Sequence, residues 1–125
     1  MGDALPGQTA QGDADVFIRK YDANGNELWT DQFGTPAQDG GFALVADATG
    51  LYVVGQTAGT LPGQVQVGMR DALIRKYSFD GTVLWTRQFG TTGDDSASQV
   101  AVDSTGVYVA GTVTEALPPK PTSAP

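Results

Sequence analysis

The chain has 125 residues, 40% of them hydrophobic, with fourteen acids against seven bases and a formal charge of −7. That length and apolar content support one ordinary folded domain, and the acidic balance excludes nucleic acid and anionic membrane as partners. With no cysteine and no histidine, disulfides, thiolate chemistry, the commonest general base and the commonest zinc ligand are absent, and most hydrolase and metalloenzyme mechanisms go with them.

The chain opens on Met1-Gly2-Asp3-Ala4-Leu5-Pro6, which has neither a basic start nor an apolar run, so no signal peptide is visible. No stretch approaches the ~20 apolar residues of a membrane-spanning helix. From there the sequence repeats itself after 56 residues without a gap. Ile18-Arg19-Lys20-Tyr21 returns as Ile74-Arg75-Lys76-Tyr77, Leu28-Trp29-Thr30 as Leu84-Trp85-Thr86, and Gln32-Phe33-Gly34-Thr35 as Gln88-Phe89-Gly90-Thr91. Asp47, Thr49, Gly50, Tyr52 and Val53 return as Asp103, Thr105, Gly106, Tyr108 and Val109. Leu5-Pro6-Gly7-Gln8 returns as Leu61-Pro62-Gly63-Gln64, and Leu-Pro occurs again at Leu117-Pro118. One structural unit has been duplicated.

Each unit reads as four short strands. Ala72–Tyr77 is a strand, Phe79-Asp80-Gly81-Thr82 a turn matched by Ala23-Asn24-Gly25-Asn26, and Val83–Phe89 a second strand. An Asn-Gly pair supplies the positive φ of a tight hairpin. Gly90–Asp95 reads as a loop, Gln99–Asp103 as a third, alternating strand, and Ser104-Thr105-Gly106 as a turn into Val107–Gly111. That last strand is apolar at every position, which predicts burial on both faces. No helical period appears.

A doubly buried strand within a four-stranded antiparallel meander predicts an all-β fold of β-propeller blades, each packed between neighbours. The rival is an eight-stranded β-sandwich, which favours cleaner alternation and no whole-unit repeat. The two repeats, over 1–116, divide into an outer strand pair at about 15–34, a whole blade at about 42–90 and an inner pair at about 98–113. A proline-rich tail or linker follows at 117–125. Two blades cannot close a ring of roughly four to eight. The chain is therefore expected either to belong to a longer array or to assemble head-to-tail with copies of itself, as a trimer or tetramer.

The segments Asp71–Tyr77, Leu84–Gly90 and Val100–Gly111 resemble the bacterial SBBP (seven-bladed β-propeller) repeat family, over nearly all of residues 3–118. The resemblance implies a propeller in a secreted or cell-surface protein and no catalytic residues. More narrowly, Asp22–Trp29 is similar to the hairpin of quinoprotein-type propeller repeats, but nothing outside it matches.

Candidate sites are few. Asp22, Asn24 and Asn26 alternate like calcium-loop ligands, but the glycine is misplaced and no bidentate Glu follows, so a plain turn is expected. Ser78, Asp80, Gly81 and Trp85 are similar to an Asp-box turn, which is structural. Asp15/Asp71, Asp39/Asp95 and Asp47/Asp103 recur with the unit and are expected to accept hydrogen bonds from loop backbone. Trp29, Trp85, Phe33, Phe89, Tyr52 and Tyr108 are assigned as anchors between blades. The long loops, 55–70 and from 111 onward, are the places where a ligand would bind. No catalytic, cofactor or metal residue is assigned. The expected function is a non-enzymatic structural or protein-interaction scaffold, with a glycan-binding propeller or a fragment of a propeller enzyme as alternatives. The expected partners are further propeller repeats, copies of the chain, or a protein or glycan.

Overall fold

The structure, a computed structural model, describes residues 4–9 and 15–117. The predicted tail beyond Leu117 lies outside the described residues. Eight strands are formed: β1 (Val16–Tyr21), β2 (Glu27–Phe33), β3 (Asp39–Asp47), β4 (Gly50–Thr57), β5 (Asp71–Tyr77), β6 (Val83–Phe89), β7 (Asp95–Asp103) and β8 (Gly106–Val113). Every strand ladder is antiparallel, and no helix occurs among the described residues. The all-β expectation holds.

The strands make three sheets, β1-β2, β3-β4-β5-β6 and β7-β8, with the four-stranded sheet in the middle. Alternation along a strand puts successive side chains on opposite faces. On one face Val53, Leu73 and Tyr77 meet Val16, Ile18 and Phe33 of the β1-β2 sheet, with Leu61 closing the cluster and Trp29 and Leu51 beside it. On the other face Tyr52, Val54, Ala72 and Ile74 meet Ala97 of β7, flanked by Val100 and Val109. The uninterrupted apolar run of β4 therefore reflects two cores, one on each face. Leu73 and Tyr77 are fully buried, each burial stabilising the fold by about 1.5–3 kcal/mol. Three stacked sheets are not a two-sheet sandwich, and among the described residues they do not close into a ring.

Several expectations need correction. β8 repeats the sequence of β4, yet Tyr108 is 56% exposed where Tyr52 is 5% exposed. The β7-β8 sheet has a neighbour on only one face, so sequence that is buried in one repeat is open in the other. β7 begins at Asp95, not Gln99. A bulge between Ala97 and Gln99 shifts the phase of the alternation, and this breaks the period-2 signal. The Asn24-Gly25 turn, by contrast, does supply the positive φ expected of it. Positive φ falls on Gly25 alone, at 88°, in a connection closed by Asp22 N–H to Asn26 O at 2.8 Å and Gly25 N–H to Asp22 O at 3.1 Å.

Candidate functional site

The repeated carboxylates are occupied by their own loops. Asp47 accepts the Thr49 N–H at 2.7 Å, the Thr49 hydroxyl at 2.6 Å and the Tyr52 hydroxyl at 3.1 Å, which pins the β3-β4 turn. Asp103 does the same with Thr105 and Tyr108. These bonds, the Thr105 hydroxyl foremost, hold the Asp103 carboxyl down at about 2. Asp39 accepts the Thr35 N–H at 2.7 Å and the hydroxyls of Thr35 and Thr57. Burial nonetheless pushes its pKa up against these bonds. Asp95 is bonded to the Thr91 N–H and hydroxyl, both at 2.8 Å. Asp71 takes the N–H groups of Val67 and Gly68 and the Gln88 amide, and Asp15 takes the Gln32 amide at 2.9 Å. In the candidate calcium turn, Asp22 is engaged by the N–H groups of Asn24 and Asn26 and by the Asn26 side chain. No group of three or more His, Cys, Asp or Glu able to hold a metal gathers among the described residues.

A second repeated network was missed in the sequence. Leu5 N–H donates to Gln32 Oε1 at 2.8 Å while Gln32 N–H donates to Gln8 Oε1 at 2.9 Å. Leu61, Gln88 and Gln64 repeat the pattern at 2.9 and 2.8 Å. The signal lay in the recurrence of Leu-Pro-Gly-Gln with Gln-Phe-Gly-Thr, whose glutamines each satisfy the other segment's backbone. The network docks the 55–70 loop on its own sheet, so that loop is not free for a ligand in the way its small residues suggested. Its exposed residues include the apolar Val65, Val67 and Met69 beside the polar Thr60, Gln66 and Arg70.

The six aromatic anchors divide. Trp29 stacks on Tyr77 at 6.0 Å and donates its indole N–H to the Phe79 carbonyl at 2.9 Å, joining two sheets. Phe33 is buried beneath the Arg75 guanidinium at 3.8 Å. Tyr52 is buried against Trp85 at 6.1 Å. Phe89, however, is 38% exposed, and Tyr108 more so. Neither is a buried anchor here, because no strand among the described residues stands where β5 stands over Phe33 or β7 over Tyr52.

What the loops and carboxylates leave open are strand edges: β1, β2, β3, β6, β7 and β8 are outer strands of their sheets, each with one edge or more lacking a ladder partner among the described residues, and apolar hollows lie beside β1 and β8. Among the described residues β1 pairs with β2 alone and β8 with β7 alone. Alongside β1 runs a groove of about 470 Å³ lined by Val16, Phe17, Ile18, Phe42, Leu44 and Val53. It continues into one of about 390 Å³ lined by Tyr21, Trp29, Leu44, Leu51 and Phe79. Beside β8 a depression of about 160 Å³ is lined by Ala72, Phe89, Ala97, Val109 and Val113. Unpaired backbone next to apolar hollows is an arrangement to which an extended chain can add as a further strand.

No family model matches the chain. The Regulatory protein FlaEY of Caulobacter vibrioides is 37% identical over an alignment of 103 residues that covers 76% of this chain. The match covers 11% of that protein, so this chain spans about a ninth of its length. This finding overturns the expected function: the similar protein carries the name of a regulator, not of a scaffold in a secreted or cell-surface protein.

Proposed function

We propose that the chain is a regulatory module, built from propeller-type blades, that acts by binding extended polypeptide at its open strand edges and not by catalysis. The observation that carries the reading is the β1 edge, where unpaired backbone adjoins a continuous groove with Phe17, Tyr21, Phe42 and Leu44 exposed. Soluble proteins seldom leave such an edge bare unless it is used. The regulatory part of the reading is supported by the 37% identity to a protein named as a regulator. The non-catalytic part is supported by carboxylates already engaged by loop donors. The blade reading, and with it the resemblance to SBBP repeats, is supported by the 56-residue period and by a four-stranded meander packed on both faces.

The test is genetic. Deleting the coding sequence in its host changes the abundance of other proteins. A wild-type copy or a copy with Val65→Ser, an exposed apolar residue away from the groove, restores the pattern, and a Phe17→Ser/Leu44→Ser copy does not. A deletion strain whose proteome is otherwise unchanged overturns the regulatory reading.

A further inference from the structure

The repeat contains a template for what its open edges bind. Within the middle sheet β4 pairs with β5, Leu51 opposite Tyr77 and Thr57 opposite Asp71. β8 is the repeat of β4, and β1 is the repeat of β5. The free edges of β1 and β8, unlike those of the other outer strands, are thus the two sides of a junction that the chain already makes once. They cannot meet within one chain, because β1-β2 and β7-β8 lie on opposite faces of the middle sheet. Stacked sheets are about 10 Å apart, whereas paired strands need about 4.8 Å.

We infer that β8 of one copy pairs antiparallel with β1 of a second copy, Val107 opposite Tyr21, Val109 opposite Arg19, Ala110 opposite Ile18 and Gly111 opposite Phe17, completing a four-stranded sheet between chains. The inference rests on the edge-binding reading above and names its partner.

Three further observations fit. In the template, Leu73 packs among Val16, Phe33 and Val53. The repeat equivalents of those three, Ala72, Phe89 and Val109, all line the depression beside β8, and the equivalent of Leu73 is the exposed Phe17. A larger Phe17 against a smaller Ala72 keeps the filled volume similar. Charge also matches. Lys76 donates to the Thr49 hydroxyl at 2.7 Å, lies 4.9 Å from the Tyr52 ring, and helps hold the Asp47 carboxyl down. The equivalent contact brings Lys20 to Thr105, Tyr108 and the ionised Asp103. Finally, a Cβ on Gly50 would stand 2.1 Å from the Tyr77 carbonyl oxygen, whereas one on Gly106 meets nothing. The space at Gly106 is what the Tyr21 carbonyl of the next copy requires.

The contact is head-to-tail, and each copy supplies the equivalent of two blades. A ring must then hold an even number of blades, and rings of about six or eight close with three or four copies. The purified full chain is expected to weigh as a trimer or tetramer by native mass spectrometry. Gly106→Val, whose side chain has open space in the isolated fold, converts it to a monomer with unchanged far-ultraviolet circular dichroism, and Phe17→Glu does the same. The chain has no native cysteine, so mixing an Ile18→Cys chain with an Ala110→Cys chain under oxidant gives a mixed disulfide dimer. Phe17→Cys with Ala110→Cys gives at least tenfold less, because adjacent residues face opposite ways. A monomeric wild-type chain overturns the inference, as does an unchanged mass for Gly106→Val, or a predominance of disulfides between two Ile18→Cys chains. Assembly by a chain whose deletion leaves the host proteome unchanged refutes the regulatory reading alone; a regulatory effect from a monomer refutes the pairing alone.

Discussion

At the residue scale, repeated polar groups act as fasteners, and their protonation sets how the fold responds to acid. Asp22, Asp47, Asp80 and Asp103 all have their pKa values held down, chiefly by hydrogen bonds from their own turns. A folded value below the unfolded one, near 3.9, stabilises the fold above about pH 4 and loses that contribution as pH falls toward the folded value. For Asp103 the loss runs down to about pH 2. Asp39 has the opposite sign. Burial raises its folded value, so acid relieves a cost there. Four depressed groups against one raised group predict a Tm that falls between pH 4 and 2, with a shallower fall in Asp103→Asn. A Tm that rises over this range would show that Asp39 dominates.

At the scale of elements, equal sequences perform unequal tasks according to what lies opposite. The β1-β2 and β5-β6 turns carry Gly25 and Gly81 with φ of 88° and 90°. Adding a Cβ to either strains a left-handed backbone by about 1–2 kcal/mol. At Gly81 it would also stand 2.8 Å from the Trp29 ring, while at Gly25 it meets nothing. Gly81→Ala therefore displaces the indole and loosens its hydrogen bond to Phe79, worth about 1 kcal/mol more. In the Gly106→Val background, where copies do not pair, urea unfolding is expected to show Gly81→Ala less stable than Gly25→Ala by about 1–2 kcal/mol. Equal losses would mean that Trp29 does not fasten the two sheets. The same asymmetry separates the tryptophans. Trp29 bridges two sheets, whereas Trp85 packs against Tyr52 of its own sheet.

For the whole molecule, the middle sheet packs against another sheet on each face and the outer two sheets do so on one face among the described residues. Folding and association are then linked, because pairing of β8 with β1 of another copy stabilises the folded state by mass action. The apparent Tm of the wild-type chain is expected to rise with protein concentration, while that of Gly106→Val stays constant. A wild-type Tm independent of concentration across two decades would place all of the stability within one chain.

The sequence by itself determined the all-β class, the 56-residue unit and the turns that punctuate it, because these follow from local alternation, glycine placement and self-similarity. It also pointed to the carboxylates as backbone acceptors, since Asp47-Ala48-Thr49 carries acceptor and donors within three residues. Burial was not legible in this way. Tyr52 and Tyr108, or Phe33 and Phe89, sit in the same local context, and only the stacking order decides which is covered. The start of β7 was hidden by a bulge, and the glutamine network by the separation of its two halves along the chain. The strand pairs left over at about 15–34 and 98–113 already implied open half-blades. The hollows beside the edges of β1 and β8 were decided by the tertiary structure alone, because they are lined by side chains distant in sequence that only the stacking of sheets brings together.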